Sequence, residues 1–122
     1  MRVHSDIDEK RERLIVTYRG EVTLYDITEM VSTSGMARML HFPLLADLSN
    51  ARLTLAPEDF DRFRNLVLTL TSRSRLGNTA VLATDAADLA KVERLCTLAR
   101  PYCEVRGFLH RAEAERWLGW GE

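Results

Sequence analysis

A chain of 122 residues is long enough for one independent hydrophobic core and too short for two substantial ones. With 17 Lys and Arg against 18 Asp and Glu, its formal charge of -1 gives no global attraction to nucleic acid or to an anionic membrane. No apolar run approaches the roughly 18 residues of a membrane-spanning helix, so the chain is expected not to be transmembrane. The opening M-R-V-H-S-D-I-D-E-K lacks the apolar stretch of a secretory signal, which leaves the cytoplasm as the expected compartment.

Along the chain, Val3, Ser5 and Ile7 alternate with polar residues, the pattern of an edge strand. The charged D-E-K-R-E suits a hairpin turn into a clearer strand over residues 13–19, centred on L-I-V-T-Y and ended by Gly20. Residues 22–34 can form a helix with Leu24, Ile27 and Val31 inward and Thr23 or Asp26 at its cap. Residues 22–25 are equally compatible with extended chain. P-L-L-A-D-L at residues 43–48 reads as the next strand, with Pro43 at its start where a missing amide is tolerated. Ala56-Pro57-Glu58-Asp59 then opens a helix through about Thr71, and Phe60, Phe63, Leu66, Val67 and Leu70 make one apolar stripe on it.

A small basic loop at residues 73–77 precedes a strand at 79–84. Thr84 or Asp85 can cap the following helix, which carries Leu89, Val92, Leu95, Cys96 and Ala99 inward and stops at Pro101. The last strand covers about 104–109 and the last helix about 112–118, pinned by Trp117 and Leu118, with Gly119 and Gly121 expected to loosen the tail. Helix-length crossovers between the later strands require parallel pairing, whereas the short first turn makes the N-terminal strand an antiparallel edge. The expected class is therefore α/β, with a five-stranded, mostly parallel sheet and about four helices.

With these landmarks in order, the chain resembles the STAS-like, SpoIIAA-like small domains, and most closely the stand-alone bacterial STAS/SEC14-type proteins. The likeness rests on L-I-V-T-Y-R-G, L-L-A-D-L-S, N-T-A-V-L-A-T and the terminal E-V-R-G-F-L-H-R-A-E-A-E-R-W-L, which span nearly the whole chain. It implies a right-handed βα superhelix with strands in nearly sequential order. In regulatory members of that fold a serine at the helix start after the central strand is phosphorylated, which switches partner binding. Here the D-S-S-G-type pattern is absent and Pro57, Glu58 and Asp59 occupy that helix start, where an added phosphate would meet like charge. The SEC14-type likeness implies a small apolar or lipid-like ligand, in a chain short for the large lipid cavity of full SEC14 domains.

The candidate contact residues fall in three groups. Asp47 sits in an apolar run at the expected end of the central strand, followed by Ser49 and Asn50, with Thr54 the next hydroxyl. There Asp47 either holds a strand-to-loop turn by accepting amides or contacts a ligand or partner. Thr84 and Asp85, with Asp88 behind them, cap the next helix or add to that surface. Met36, Met39 and Phe42 lie in a segment after the first helix that either packs on the sheet or forms an apolar flap over a groove.

No carboxylate spacing marks a metal site, and His4, His41 and His110 share no ligand spacing. Cys96 and Cys103 fit neither a C-x-x-C pair nor half of a zinc site and read as free structural thiols. No serine has a G-x-S-x-G elbow and no cysteine an evident base, so a catalytic constellation and a cofactor motif are both missing from the linear sequence. Arg62, Arg64, Arg73 and Arg75 lack interleaved aromatics, which does not describe a nucleic-acid platform. The expectation is a non-enzymatic binding or regulatory module working through protein contact around residues 47–55 and 84–88. Its alternative is a carrier or sensor of a small apolar ligand between residues 36–42 and a helix. Trp120, between two glycines, either folds back on the domain or joins a homodimer contact, for which an edge strand is the other candidate.

Overall fold

A computed structural model describes residues 3–120. It opens on a hairpin in which β1 (Val3–Asp8) pairs antiparallel with β2 (Arg13–Thr23). The Asp8 carboxylate accepts the Arg11 amide at 3.0 Å inside the turn, and Glu12 closes it with φ of 57°. The remaining strands, β3 (Leu44–Thr54), β4 (Thr79–Leu82) and β5 (Val105–Phe108), add in parallel to give the sheet order β1-β2-β3-β4-β5. Sequential order with an antiparallel first strand is the topology the crossover lengths demand.

Five helices connect and flank the strands, one more than expected: α1 (Leu24–Ser32), α2 (Ser34–Ala37), α3 (Asp59–Arg73), α4 (Ala86–Ala99) and α5 (Arg111–Trp117). A reciprocal capping box fixes the start of α1, because the Thr23 amide donates to Asp26 Oδ2 at 2.9 Å and the Asp26 amide to Thr23 Oγ1 at 3.3 Å. Residues 22 and 23 therefore stay extended and the helix begins at Leu24. The additional helix, α2, arises where Thr33 breaks α1 in an extended conformation and its hydroxyl accepts the Met36 amide. Residues 36–42 are accordingly not a free flap. Gly77 donates to the Leu40 carbonyl at 2.8 Å, in an approach so close that any Cβ on Gly77 would strike the Phe42 backbone.

Two strands run further than their sequence suggested. β2 passes through Gly20 to Thr23, and β3 passes Leu48 to end at Thr54. The two remain paired across a bulge: Thr17 faces Asp47, but Arg19 faces Asn50, so β3 carries one extra residue there. The extra residue shifts the alternation, so Leu48 joins the same buried core as Ala51 and Leu53 although it stands an odd number of residues from each. Other boundaries move less. Asp59 Oδ2 captures the Ala56 amide at 2.8 Å, which leaves Pro57 in the preceding turn, and Asp85 caps α4, which stops β4 at Leu82.

The sheet has two unequal faces. Leu14, Val16, Tyr18, Leu48 and Leu53 belong to the larger core, under α1 to α4, while Leu45, Ala80 and Leu82 pack with Ala114, Leu118 and Trp120 around α5. Gly119 (φ 82°) ends α5 and donates to the Arg116 carbonyl, and Trp120 donates to that of Glu115 at 2.8 Å. This pair of bonds is a Schellman motif, so Gly119 locks the tail rather than loosening it. Trp120 is folded back and 7% exposed, with the Arg13 guanidinium 5.3 Å from its ring. Gly121 lies outside the described residues.

Candidate functional site

The residues singled out in sequence separate into two polar clusters and one apolar cavity. Asp47 lies inside β3, not at its carboxyl end, and is 8% exposed. Its Oδ1 accepts the Ser49 amide at 2.9 Å and the Ser49 hydroxyl at 2.6 Å, which ties down the bulge, and its Oδ2 faces Arg111 of α5 at 3.4 Å. Ser49 and Asn50 consequently belong to strand rather than to a terminating turn. A buried carboxylate with this full set of partners holds the strand irregularity and the last helix together.

The second cluster stands where β3 outruns β4. β4 pairs only with residues 44–47 of β3, so the outer part of β3 has no strand on that side. Two side chains of α4 fill the vacancy: the Leu53 amide donates to Asp88 Oδ2 at 2.9 Å, and Lys91 Nζ donates to the Leu53 carbonyl at 2.8 Å. Arg52 bridges Asp85 at 2.9 Å and Asp88 at 3.2 Å. Hydrogen bonds from the Asp88 backbone and from Arg52 hold the Asp85 carboxyl below its ordinary range. Thr54 is exposed beside this network and Thr84 is half-buried. The two clusters share no residue. Among the described residues, no three His, Cys, Asp or Glu side chains are placed to hold a metal ion.

The cavity has a volume of about 140 Å³ and lies on the larger core side of the sheet. Its floor is Val16, Leu44, Ala46 and Val81 of the strands, and Phe63, Leu66, Val67 and Leu70 of α3 line it as well. This void follows from how α3 packs. α3 packs along α4 and α1, with Val67 its single fully buried residue and Arg94 of α4 stacked 4.1 Å from the Phe60 ring. A small floor residue, Ala46, leaves the resulting gap unfilled.

From the 36–42 segment only Met36 and Leu40 line the cavity; Met39 and Phe42 pack into the surrounding core. Sequence reading did not single out Tyr18, which lines the cavity at 3% exposure, because it reads as one more inward residue of L-I-V-T-Y. Burial, with a smaller effect of Asp26, pushes its phenol above the usual range. Cys96 and Cys103 line the cavity too, and burial pushes the Cys96 thiol up to about 11. Both are free thiols.

This architecture defines a SpoIIAA-like fold. A solved structure that it resembles is an uncharacterized protein of the DUF3478 family with a SpoIIAA-like fold, from Shewanella loihica PV-4. The match has a TM-score of 0.61 and 14% identity over 95% of this chain and 91% of that one. The likeness bears out the STAS-like architecture and concerns the fold alone. No family model matches the chain, and no curated protein matches its sequence. No helix among the described residues is long and apolar enough to cross a membrane.

Proposed function

We propose that this STAS-like domain is a non-enzymatic binding module that carries or senses a small apolar ligand in the cavity beneath α3. The observation that carries this reading is the cavity itself: about 140 Å³, lined by aliphatic, aromatic and sulfur side chains and Thr79, with no charged group among them. Ligand sites are concave, mostly apolar and few per protein, and this lining fits that description. The two polar clusters weigh against chemistry at the strand ends, because their charged groups are already engaged with strand backbone and with one another. Cytoplasmic residence belongs to the same proposal.

Native mass spectrometry of gently purified protein tests this reading, with Ala46→Leu as the control that fills the floor of the cavity. The expected result is an added mass in the wild-type protein that is lost on denaturation and missing from Ala46→Leu. Equal bare masses for both proteins would count against it.

A second reading keeps the protein contact expected around the strand ends. It is favoured by the β2–β3 extension beyond β4, where Glu21, Thr23, Arg52 and Thr54 are exposed, and by Tyr25, 69% exposed at the start of α1. Burial of Trp120 weighs against a homodimer contact through the tail and favours an edge strand, β1 or β5, for that role. Sedimentation across a concentration series tests that dimer, and a monomer at every concentration would remove it.

A further inference from the structure

Sulfur is concentrated on the cavity wall. Both cysteines of the chain and two of its four methionines, Met30 and Met36, line it. Oxygen is scarce there, since among the described residues only Tyr18 and Thr79 bring a side-chain hydroxyl to the lining. The Thr79 hydroxyl donates to the Gly77 carbonyl at 3.4 Å, and among the described residues no buried side-chain oxygen or nitrogen lacks a hydrogen-bond partner. The Cys103 thiol faces the Ala99 carbonyl at 3.7 Å, and a thiol is a weak donor in any case. The wall therefore holds no buried side-chain oxygen left open for a polar ligand.

We infer that the cavity selects a single-ring aromatic hydrocarbon, such as an alkyl- or alkenylbenzene, with no hydrogen-bonding or charged group. The inference rests on the cavity reading above and narrows it in three ways. Size sets the first limit: a void of about 150 Å³ accommodates a single benzene-sized ring, which makes this cavity too small for a long acyl chain. Polarity sets the second. A carbonyl or hydroxyl carried onto this wall gives up its bonds to water where no buried side-chain donor stands open, and a carboxylate would be buried without a cation. Softness is the third. Methionine thioethers are polarizable and make favourable contacts with the edges of aromatic rings, so Met30 and Met36 reward an unsaturated ring over a saturated one.

Isothermal titration with three probes tests each limit: isopropenylbenzene, its ketone isostere acetophenone, and the saturated ring methylcyclohexane. The wild-type protein is expected to bind isopropenylbenzene at least about 10-fold more tightly than acetophenone. It should also favour isopropenylbenzene over methylcyclohexane. The double variant Met30→Leu/Met36→Leu conserves volume and should narrow that second gap by about 3- to 10-fold. Acetophenone binding as tightly as isopropenylbenzene would overturn the exclusion of polar groups and leave the apolar cavity standing. Methylcyclohexane binding as tightly, or a gap unchanged in the double variant, would overturn the preference for an aromatic ring. Failure of all three probes to bind would overturn both this inference and the cavity reading on which it rests. The wild-type comparisons remain decisive even if the double variant is poorly folded.

Discussion

Asp88 and Leu53 are 35 residues apart in sequence, yet the Asp88 carboxylate accepts the Leu53 amide at 2.9 Å in the buried interior. With Lys91 on the Leu53 carbonyl, α4 thus supplies the donor and the acceptor that a neighbouring strand would have provided. The helix is fastened to the sheet at the point where β4 ends. This anchor holds α4 in place, and α4 in turn supports α3 at the edge of the cavity.

Asp88→Ala is expected to destabilise the protein by about 2–4 kcal/mol, because it strands a buried amide and removes the carboxylate between Arg52 and Lys91. Asp88→Asn keeps an acceptor for Leu53 and should cost less. Urea denaturation of both variants measures the difference, and equal losses would show that the Leu53 bond contributes nothing.

The depressed Asp85 carboxyl fixes the sign of an acid effect. Its proton is bound less tightly in the folded state than in the unfolded one, so its contribution is present above the ordinary carboxylate range. It is lost as pH falls through the lowered folded value. Asp85→Asn should therefore flatten the fall of stability below about pH 4 and leave the slope near pH 7 unchanged. Thermal melts between pH 2 and pH 7, buffered as about five points, test this; parallel curves for the two proteins would contradict it.

The tail offers a conformational test. A Cβ on Gly119 would meet no atom within 4 Å, so only its φ of 82° resists substitution. Gly119→Ala should cost about 1 kcal/mol. Trp120→Ala should cost about 3 kcal/mol by emptying the smaller core. A Trp120 fluorescence accessible to acrylamide in the wild-type protein would contradict the buried placement.

At the other end, Glu12 is the one described non-glycine residue with positive φ. Glu12→Gly should stabilise the hairpin by about 0.5–1 kcal/mol, read from the urea midpoint. An unchanged or lowered midpoint would mean that Glu12 is not strained.

Much of the fold was legible because it follows from periodicity and connection length. L-I-V-T-Y alternates, the stripe on α3 repeats at helical spacing, and the crossovers before β3, β4 and β5 are too long for hairpins. The site was less legible for reasons visible at particular residues. Asp47 looked like the end of a strand because a carboxylate and two turn-forming residues follow one another there. In the fold the same Asp47–Ser49 pair secures a bulge, and the strand continues to Thr54. Leu53 shows no sign in sequence that its backbone is served by side chains of α4. The cavity is lined by α3 and by strands of the sheet together, a juxtaposition of elements that no local pattern encodes. Met36 could be named in advance as an apolar candidate, whereas Tyr18 could not, since it reads as one more inward residue of its strand.

The thiols on the cavity wall report on occupancy. Cys96, pushed up to about 11 by burial, should carry about one thiolate in a thousand at pH 8 and react slowly with iodoacetamide. Cys103, half-buried, should react first, and bound isopropenylbenzene should slow both. Mass mapping of the alkylated peptides reads the order; faster labelling of Cys96 would contradict the packing of α4 against the sheet.

Methyl-resolved NMR of the wild-type protein titrated with isopropenylbenzene tests the cavity most directly. Saturable shifts confined to methyl groups such as those of Val16, Ala46, Val67 and Val81, abolished by Ala46→Leu, are the expected result. Unmoved cavity methyl groups, or shifts confined to the α5 side of the sheet, would contradict an apolar binding site beneath α3.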